Sequence, residues 1–235
     1  MRYFFVIIFV ITAFCSVSAF ETMQLVQAPT AGILERGEAS TLFKIYRNNG
    51  LLAGARVGLF QRFLFGVSYG GEQIVGNLDP VWNKRVEFNA KFRIMDEDAR
   101  FPAVAIGINT QGHGAYDSSN NRYEIKSKGF YCVASQNFSF LGNLGLHGGI
   151  NYSLETGDGD KDPNLFLGVD KSIGPVVSAA LEYDTALNDN KEDNDDLRGD
   201  GKGFLNVGIQ VKMTDNLSVH LTALDLLENG PATTV

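Results

Sequence analysis

The chain has 235 residues and a net charge of −7, and its 26 glycines, 17 phenylalanines and 8 tyrosines favour sheets with tight turns over helices. This length suits one barrel or sandwich domain. An acidic chain without a basic stripe cannot neutralise many phosphates, so we expect no nucleic-acid partner.

The first segment, 1–19, has the features of a secretory signal peptide. A basic residue precedes a mostly apolar run, and small residues precede the expected cut after Ala19. The run is too short for a comfortable transmembrane helix. A lipoprotein signal at Cys15 is disfavoured, because Phe14 stands where such a signal needs a small residue. Cleavage leaves Cys132 as the single cysteine, which excludes an internal disulfide.

Beyond an irregular lead-in at 20–37, one unit repeats along 38–235: about ten residues that alternate between apolar and polar, then turn residues. Successive side chains on a strand point to opposite faces, so each run predicts one strand. About ten residues suits a tilted membrane-spanning strand better than a strand of a soluble sheet. The eleven predicted strands are 38–48, 51–60, 62–70, 85–95, 101–110, 128–138, 144–154, 164–171, 176–185, 202–212 and 216–226.

The polar faces of these strands are unusual for a surface in contact with water. In 85–94, "RVEFNAKFRI", polar and apolar residues alternate one for one, but elsewhere the polar face carries mainly Gly, Ala, Ser and Asn. Small residues suit the inside of a narrow barrel. The strand 128–138 leaves the choice of face open. We expect pairing across the interior among Lys44, Arg56, Arg85, Glu87, Lys91, Arg93, Asp170, Glu182 and Lys212.

The links between the predicted strands alternate in length, with 49–50 as the exception. Long links on one side and short turns on the other are typical of outer-membrane barrels. The long links, expected outside the cell, are 71–84, 111–127, 155–163 and 186–201. Aromatic residues near strand ends are expected to form interfacial girdles, namely Tyr69, Trp82, Phe101, Phe138, Tyr152, Tyr183 and Phe204.

These patterns predict an all-β, up-and-down antiparallel transmembrane barrel whose apolar face meets lipid. Bacterial single-chain barrels have even strand numbers, and eleven strands are visible. The residues after 226 look like the start of an external loop. We therefore expect twelve strands in the complete protein and a chain that is cut short at Val235.

Candidate chemistry in the loops is weak. Clustered carboxylates in 186–201 are compatible with a divalent cation, but a solvated external loop is the preferred interpretation. In 157–162, three aspartates alternate as in an EF-hand loop. Pro163 then replaces the required glycine, and Val169 replaces the bidentate glutamate.

The three histidines do not form a catalytic or zinc pattern. His147 and His220 fall on the polar face, where hydrogen-bonded interior histidines are expected, and His113 lies in a loop. No phosphate loop, dinucleotide fingerprint or nucleophile elbow is present. We expect no catalytic residue, no cofactor and no metal site.

Several stretches together resemble the bacterial outer-membrane barrels of the YjbH-like, exopolysaccharide-biosynthesis-associated family. The similarity covers most of the chain beyond the signal peptide and involves turn and strand signatures. These stretches are "PTAGILERGEA" (29–39), "VSYGG" (67–71), "FPAVAIGINTQGHGAYD" (101–117), "YEIKSKGFYCVASQNF" (123–138), "LGNLGLHGGINYSLE" (141–155), "FLGVDKSIGP" (166–175), "LEYDTALND" (181–189) and "GFLNVGIQVKMTDNLSV" (203–219). The resemblance implies a role in surface polysaccharide export or secretion and carries over no catalytic residue.

The sequence thus predicts a signal peptide at 1–19, a periplasmic segment at 20–37 and an outer-membrane barrel at 38–235. The expected function is structural or export-associated and not enzymatic. The alternatives are a porin-like channel for small solutes, a barrel enzyme acting on lipid and a secreted soluble β-domain. Expected partners are outer-membrane lipids, the barrel-assembly machinery and components of polysaccharide export.

Overall fold

The computed structural model describes residues 22–190 and 199–229 in full, and the backbone of residues 8–14. Within these ranges the chain is all-β apart from a 3-10 turn at Leu187–Asp189. No helix in the described ranges is long and apolar enough to cross a membrane.

The described residues form fifteen strands. They are β1 (Ile8–Phe14), β2 (Ala39–Tyr46), β3 (Gly50–Phe60), β4 (Phe63–Glu72), β5 (Val81–Trp82), β6 (Glu87–Met95), β7 (Ala103–Asn109), β8 (His113–Asp117), β9 (Arg122–Ile125), β10 (Gly129–Ser139), β11 (Asn143–Tyr152), β12 (Asn164–Ile173), β13 (Val177–Asp184), β14 (Phe204–Thr214) and β15 (Leu217–Ala223). All eleven predicted strands are confirmed. The sequence analysis missed β1, β5 and the β8–β9 hairpin.

The eleven predicted strands form one antiparallel sheet in which each pairs with the next along the chain. The same order continues from β7 through β10 to β15. This is the predicted up-and-down topology. The hairpin β8–β9 forms a separate two-stranded sheet within one of the long links.

The strand β1 lies between the first and last strands of this sheet. It pairs antiparallel with β2 on one side and with β15 on the other, so that Thr12 is opposite both Leu42 and Ser218. Among the described residues, β2 and β15 do not pair with each other directly. The eleven strands alone therefore leave a gap of one strand, which β1 fills as the twelfth. β1 lies inside the segment 1–19 that the sequence predicts to be cleaved.

The two faces of the sheet are inverted relative to a soluble protein. In β6, Glu87 is 1% exposed and Lys91 is 5% exposed, whereas Phe88, Phe92 and Ile94 are 43%, 46% and 48% exposed. The same alternation continues around the sheet. Exposed apolar side chains of the outer face include Phe43, Phe65, Val67, Ile106, Leu146, Ile150, Leu165, Leu167, Leu181, Ile209 and Leu221.

The structure settles the face of β10, which the sequence left open. Tyr131 and Val133 are buried on the inner face, whereas Phe130 points outward and is 56% exposed. The inward pair packs with Ala28, Ala31, Ala103, Ala105 and Phe166 in the larger apolar cluster of the described residues.

The links divide between two ends of the sheet. Short links at one end are 61–62, 96–102, 140–142, 174–176 and 215–216. Long links at the other end are 73–86, 110–128, 153–163 and 185–203, together with the short link 47–49. Exposed aromatic side chains accompany both ends, and Tyr69 stacks on Trp82 with ring centroids 5.7 Å apart. The girdle assignment of Phe204 is wrong, because its side chain is only 3% exposed and faces inward.

Candidate functional site: a plugged interior

Residues 22–34, which we call the plug, lie against the inner face of the sheet. Their polar partners come from β3, β6, β10 and β13, so the sheet curves around them. The sequence analysis placed the whole segment 20–37 outside the barrel. The small inner-face residues explain the difference, because a Cβ on Gly168 would lie 2.2 Å from Leu25 Cδ1 and one on Gly208 would lie 3.0 Å from Val26 Cγ2.

Glu182 on β13 holds the turn of the plug. Its carboxylate accepts hydrogen bonds from the backbone N–H groups of Val26 (3.0 Å), Gln27 (2.9 Å) and Ala28 (2.8 Å). The Asn206 side-chain amide donates a further bond at 2.8 Å. Consecutive backbone N–H groups form a concave site for an anion, and here the anion is a side chain of the wall.

Lys91 on β6 holds the plug from the opposite direction. Its Nζ donates to the carbonyl oxygens of Met23 (2.9 Å), Thr30 (2.9 Å) and Gly32 (2.8 Å). These three acceptors match the three protons of an ammonium group. Arg93, two residues along the strand, donates from Nε to the carbonyl of Ala31 at 3.0 Å. Of the nine inner charges that were expected to pair across the interior, Lys91, Arg93 and Glu182 thus bind the plug backbone. Arg85 and Glu87 pair with each other, two positions apart on the same side of the chain.

A Ser–His–Asp chain crosses β10, β11 and β12 beneath the plug. Ser135 Oγ lies 2.8 Å from His147 Nδ1, and His147 Nε2 lies 2.7 Å from Asp170 Oδ1. If Nε2 donates to Asp170, Nδ1 accepts a hydrogen bond from the Ser135 hydroxyl. The backbone N–H of Ala31 donates to Ser135 Oγ at 2.8 Å, and Ala31 is fully buried. The serine is therefore covered by the plug, and the chain of bonds anchors it there.

This chain of bonds fulfils the prediction that His147 belongs to a hydrogen-bonded interior network. His220 also faces inward, with Nε2 3.1 Å from Ser218 Oγ. The sequence analysis did not identify Ser135 as a partner of His147. The two residues are directly opposite on neighbouring strands. Alternation alone places both on the inner face, but identifying them as partners also requires the register of β10 on β11.

At the end of the sheet where the long links lie, the β8–β9 hairpin packs over the space that the sheet surrounds. Arg122, 1% exposed, donates to Asp158 Oδ2 at 2.6 Å and to both oxygens of Asp189 at 2.7 and 2.9 Å. Lys126 donates to Asp158 Oδ1 at 2.9 Å and to the carbonyl of Asn188 at 2.8 Å. We call Arg122, Lys126, Asp158 and Asp189 the mouth cluster. It joins three long links in a buried ionic network.

The two carboxylates of the mouth cluster differ in pKa. Burial raises the pKa of Asp189, and the hydrogen bonds and charge of Arg122 only partly oppose this. Burial also acts to raise the pKa of Asp158, but the hydrogen bond and charge of Lys126, with help from Arg122, lower it below 3.8. Asp158 therefore stays ionised between its two cations.

These contacts involve the EF-hand-like stretch at 157–162. Asp158, the first aspartate of the EF-hand-like stretch, is already neutralised by Arg122 and Lys126. In the described part of the chain, no group of three or more His, Cys, Asp or Glu side chains is arranged to hold a metal ion. Most of the acidic loop, 191–198, lies outside the described residues.

Among the described residues, the two larger cavities lie between the plug, the hairpin and the wall formed by β2, β3 and β4. The lumen cavity measures about 110 Å³ and is bordered by Ser40, Lys44, Arg56, His113, Gln111 and His220, among others. The mouth cavity measures about 90 Å³ and lies under the hairpin. Lys44, Leu52, Gln111 and His113 border both, so the cavities meet at the contact between Lys44 Nζ and His113 Nδ1, 3.2 Å apart.

A comparison of the chain with protein-family models and with curated proteins finds no match.

Proposed function

We propose that this protein is a β-barrel of the bacterial outer membrane with a structural or export-associated role. The observation that carries the proposal is the inversion of the two faces of the sheet. Charged side chains such as Glu87, Lys91 and Glu182 are buried on the inner face, while the outer face exposes Phe and Leu side chains on one strand after another.

The physical cost of this arrangement in water supports a lipid environment. Soluble monomers seldom expose continuous apolar patches larger than a few hundred Å². Here the apolar face continues from strand to strand of the large sheet, with Leu167 at 61% and Ile150 at 56% exposure. Hydrocarbon removes that cost, and antiparallel pairing along the sheet satisfies the backbone groups as lipid requires.

The plug favours a structural or export-associated role over an open channel. It is held by Glu182, Lys91 and Ser135 on three separate strands, and the hairpin covers one end. The part of this proposal that concerns surface polysaccharide export rests on the resemblance to YjbH-like barrels. On this proposal the partners are outer-membrane lipids, the barrel-assembly machinery and polysaccharide export components. Ser135 is only 5% exposed and its Oγ already accepts a hydrogen bond from the plug backbone, which favours a role that is not enzymatic.

A channel for small solutes is the second candidate. The observation that favours it is the contact between the two cavities at Lys44 and His113, which aligns free space along one wall. Conduction along this path requires movement of the plug or of the β8–β9 hairpin.

The first experiment is fractionation of cells that express the full chain. We expect the protein in the outer-membrane fraction, from which only detergent extracts it. We also expect its migration in gels to change on heating, because heating unfolds it. A protein that is recovered as a soluble monomer without detergent contradicts the proposal.

The second experiment measures conductance in a planar bilayer for the purified protein and for Glu182→Ala, which removes the plug anchor. Absence of conductance in the parent protein supports the structural or export-associated role. Steady channels in the parent protein support the solute channel instead. Channels that appear only in Glu182→Ala support a barrel that the plug keeps closed.

A further inference from the structure

The interior cations of this protein fall into two groups. Most of them lie against carboxylates or against several carbonyl groups: Arg122 and Lys126 contact aspartates, Lys128 contacts Asp184, and Lys91 binds three carbonyls. Lys44 and Arg56 differ. The hydrogen-bond partners of these two cations are neutral side chains, the ring of His113 and the amide oxygen of Gln24.

Lys44 is 6% exposed, so its charge is removed from bulk water with little compensation. Burying a charge is costly unless it is paired. The carboxylate whose charge acts on Lys44 is Glu182, but Glu182 is already bound by the backbone of Val26, Gln27 and Ala28. Burial, together with the charges of Lys44 and Lys128, lowers the pKa of His113, so the His113 ring is neutral and its Nδ1 accepts a hydrogen bond from Lys44 Nζ.

Both cations border the lumen cavity. Arg56 is directly opposite Ser40 on the neighbouring strand, and Lys44 is four residues further along the same face as Ser40. With about 3.3 Å per residue along the strand and about 4.8 Å between strands, their backbones are about 14 Å apart, a distance that two long side chains span towards a shared space. Among the described residues that border this cavity there is no aspartate or glutamate. Hydroxyl and amide groups of Ser40, Gln111 and Thr222 add uncharged donors.

We propose that the lumen cavity is a binding site for a small solute that carries a carboxylate or phosphate group, with the anionic oxygens between Lys44 and Arg56. Charge-assisted hydrogen bonds from an ammonium and a guanidinium are the usual means of binding such groups. Rings of Lys and Arg serve the same purpose in pores that select anions and phosphates. This site goes beyond the proposed barrel role and does not depend on it, because it requires only the cavity and its two cations.

The test is equilibrium dialysis of the full chain in detergent micelles with labelled inorganic phosphate, D-glucuronate and D-glucose. The first two probes separate a phosphate from a carboxylate ligand, and D-glucose is the uncharged match of D-glucuronate. We expect about one phosphate or one glucuronate per chain and no binding of glucose. Absence of binding of both anions, or equal binding of glucose, overturns the proposal.

Variants then locate the site. Lys44→Gln and Arg56→Gln should each weaken anion binding about tenfold or more, the effect of losing a hydrogen bond to a charged group. Lys84→Gln removes an exposed positive charge and should leave binding unchanged. Full binding by both cavity variants overturns the site. Lys44→Gln counts only if it retains the circular-dichroism signal of β-strands. If it does not, Arg56→Gln and Lys44→Arg take its place. Arg56→Gln should weaken anion binding, and Lys44→Arg, which retains the charge, should keep it.

Discussion

Both carboxylate oxygens of Glu182 accept a hydrogen bond from the backbone N–H of Gln27, at 3.0 and 2.9 Å, although the two residues are 155 positions apart in the chain. This contact joins the far wall of the sheet to the plug. Within the plug, the only strand-like pairing is the bridge between Gln24 and Pro29. The buried charge of Glu182 therefore helps to hold the plug in one conformation.

The first prediction concerns this anchor. Glu182→Ala removes the acceptor of three buried N–H groups, each of which then carries a desolvation cost of about 1–3 kcal/mol unless it finds water. We expect the plug to detach and the amides of 22–34 to exchange hydrogen faster, measured by mass spectrometry. Glu35→Gln, at an exposed position beside the plug, is the control. Unchanged protection of 22–34 in Glu182→Ala argues against the anchor.

The second prediction separates the two faces at neighbouring positions of β14. Ile209 is 45% exposed on the outer face, whereas Gln210 borders the lumen cavity. In a bilayer, Ile209→Arg should cost about 2–4 kcal/mol near the midplane. Gln210→Ala should cost less. Unfolding by urea from lipid vesicles measures both, and a larger loss for Gln210→Ala means that the outer face does not meet lipid.

The third prediction concerns the mouth cluster and pH. Since the folded-state pKa of Asp158 is below 3.8, its ionisation stabilises the fold above that pH, and this contribution is lost as the pH falls through the folded-state value. Asp158→Asn should therefore be less stable than the parent protein at pH 6, with the difference shrinking at lower pH. Thermal unfolding in detergent measures this. Asp162→Asn, exposed in the same loop, should show no such trend. A gap that widens on acidification contradicts the assigned direction.

The fourth prediction concerns the place that β1 occupies. Neighbouring strands are about 4.8 Å apart, so β2 and β15 with a strand between them are about 10 Å apart. A disulfide needs Cα atoms within about 7 Å. Leu42→Cys with Ser218→Cys should therefore not oxidise to a disulfide, in a chain that also carries Cys132→Ser.

The matched control for this prediction is Lys212→Cys with Ser218→Cys, which are directly opposite in β14 and β15 and should cross-link. The disulfide closes a loop of the chain, so the oxidised, denatured protein should migrate differently in electrophoresis without reductant than with it. Rapid cross-linking of the first pair shows that the two edge strands meet with no strand between them.

The sequence by itself determined eleven of the strands and the faces of most of them. Alternation with a period of two is a local property of the chain, and it placed all eleven strands and the inward position of His147 and His220. The alternation in 85–94 leaves two arrangements, with the apolar face either inward or outward. The small residues of the other polar faces and the alternating link lengths favoured the outward arrangement.

What the inward side chains meet was decided only by the tertiary structure. The pairing of Ser135 with His147 depends on strand register, and the contact of Glu182 with Gln27 depends on the curvature of the whole sheet around the plug. The plug itself has no alternating pattern to reveal it. Its stability comes from wall residues distant in sequence, and the face of β10 was likewise decided by Ala28 and Ala31 packing against Tyr131 and Val133. Such contacts arise when the sheet curves, because local periodicity carries no information about which strands face one another across an interior.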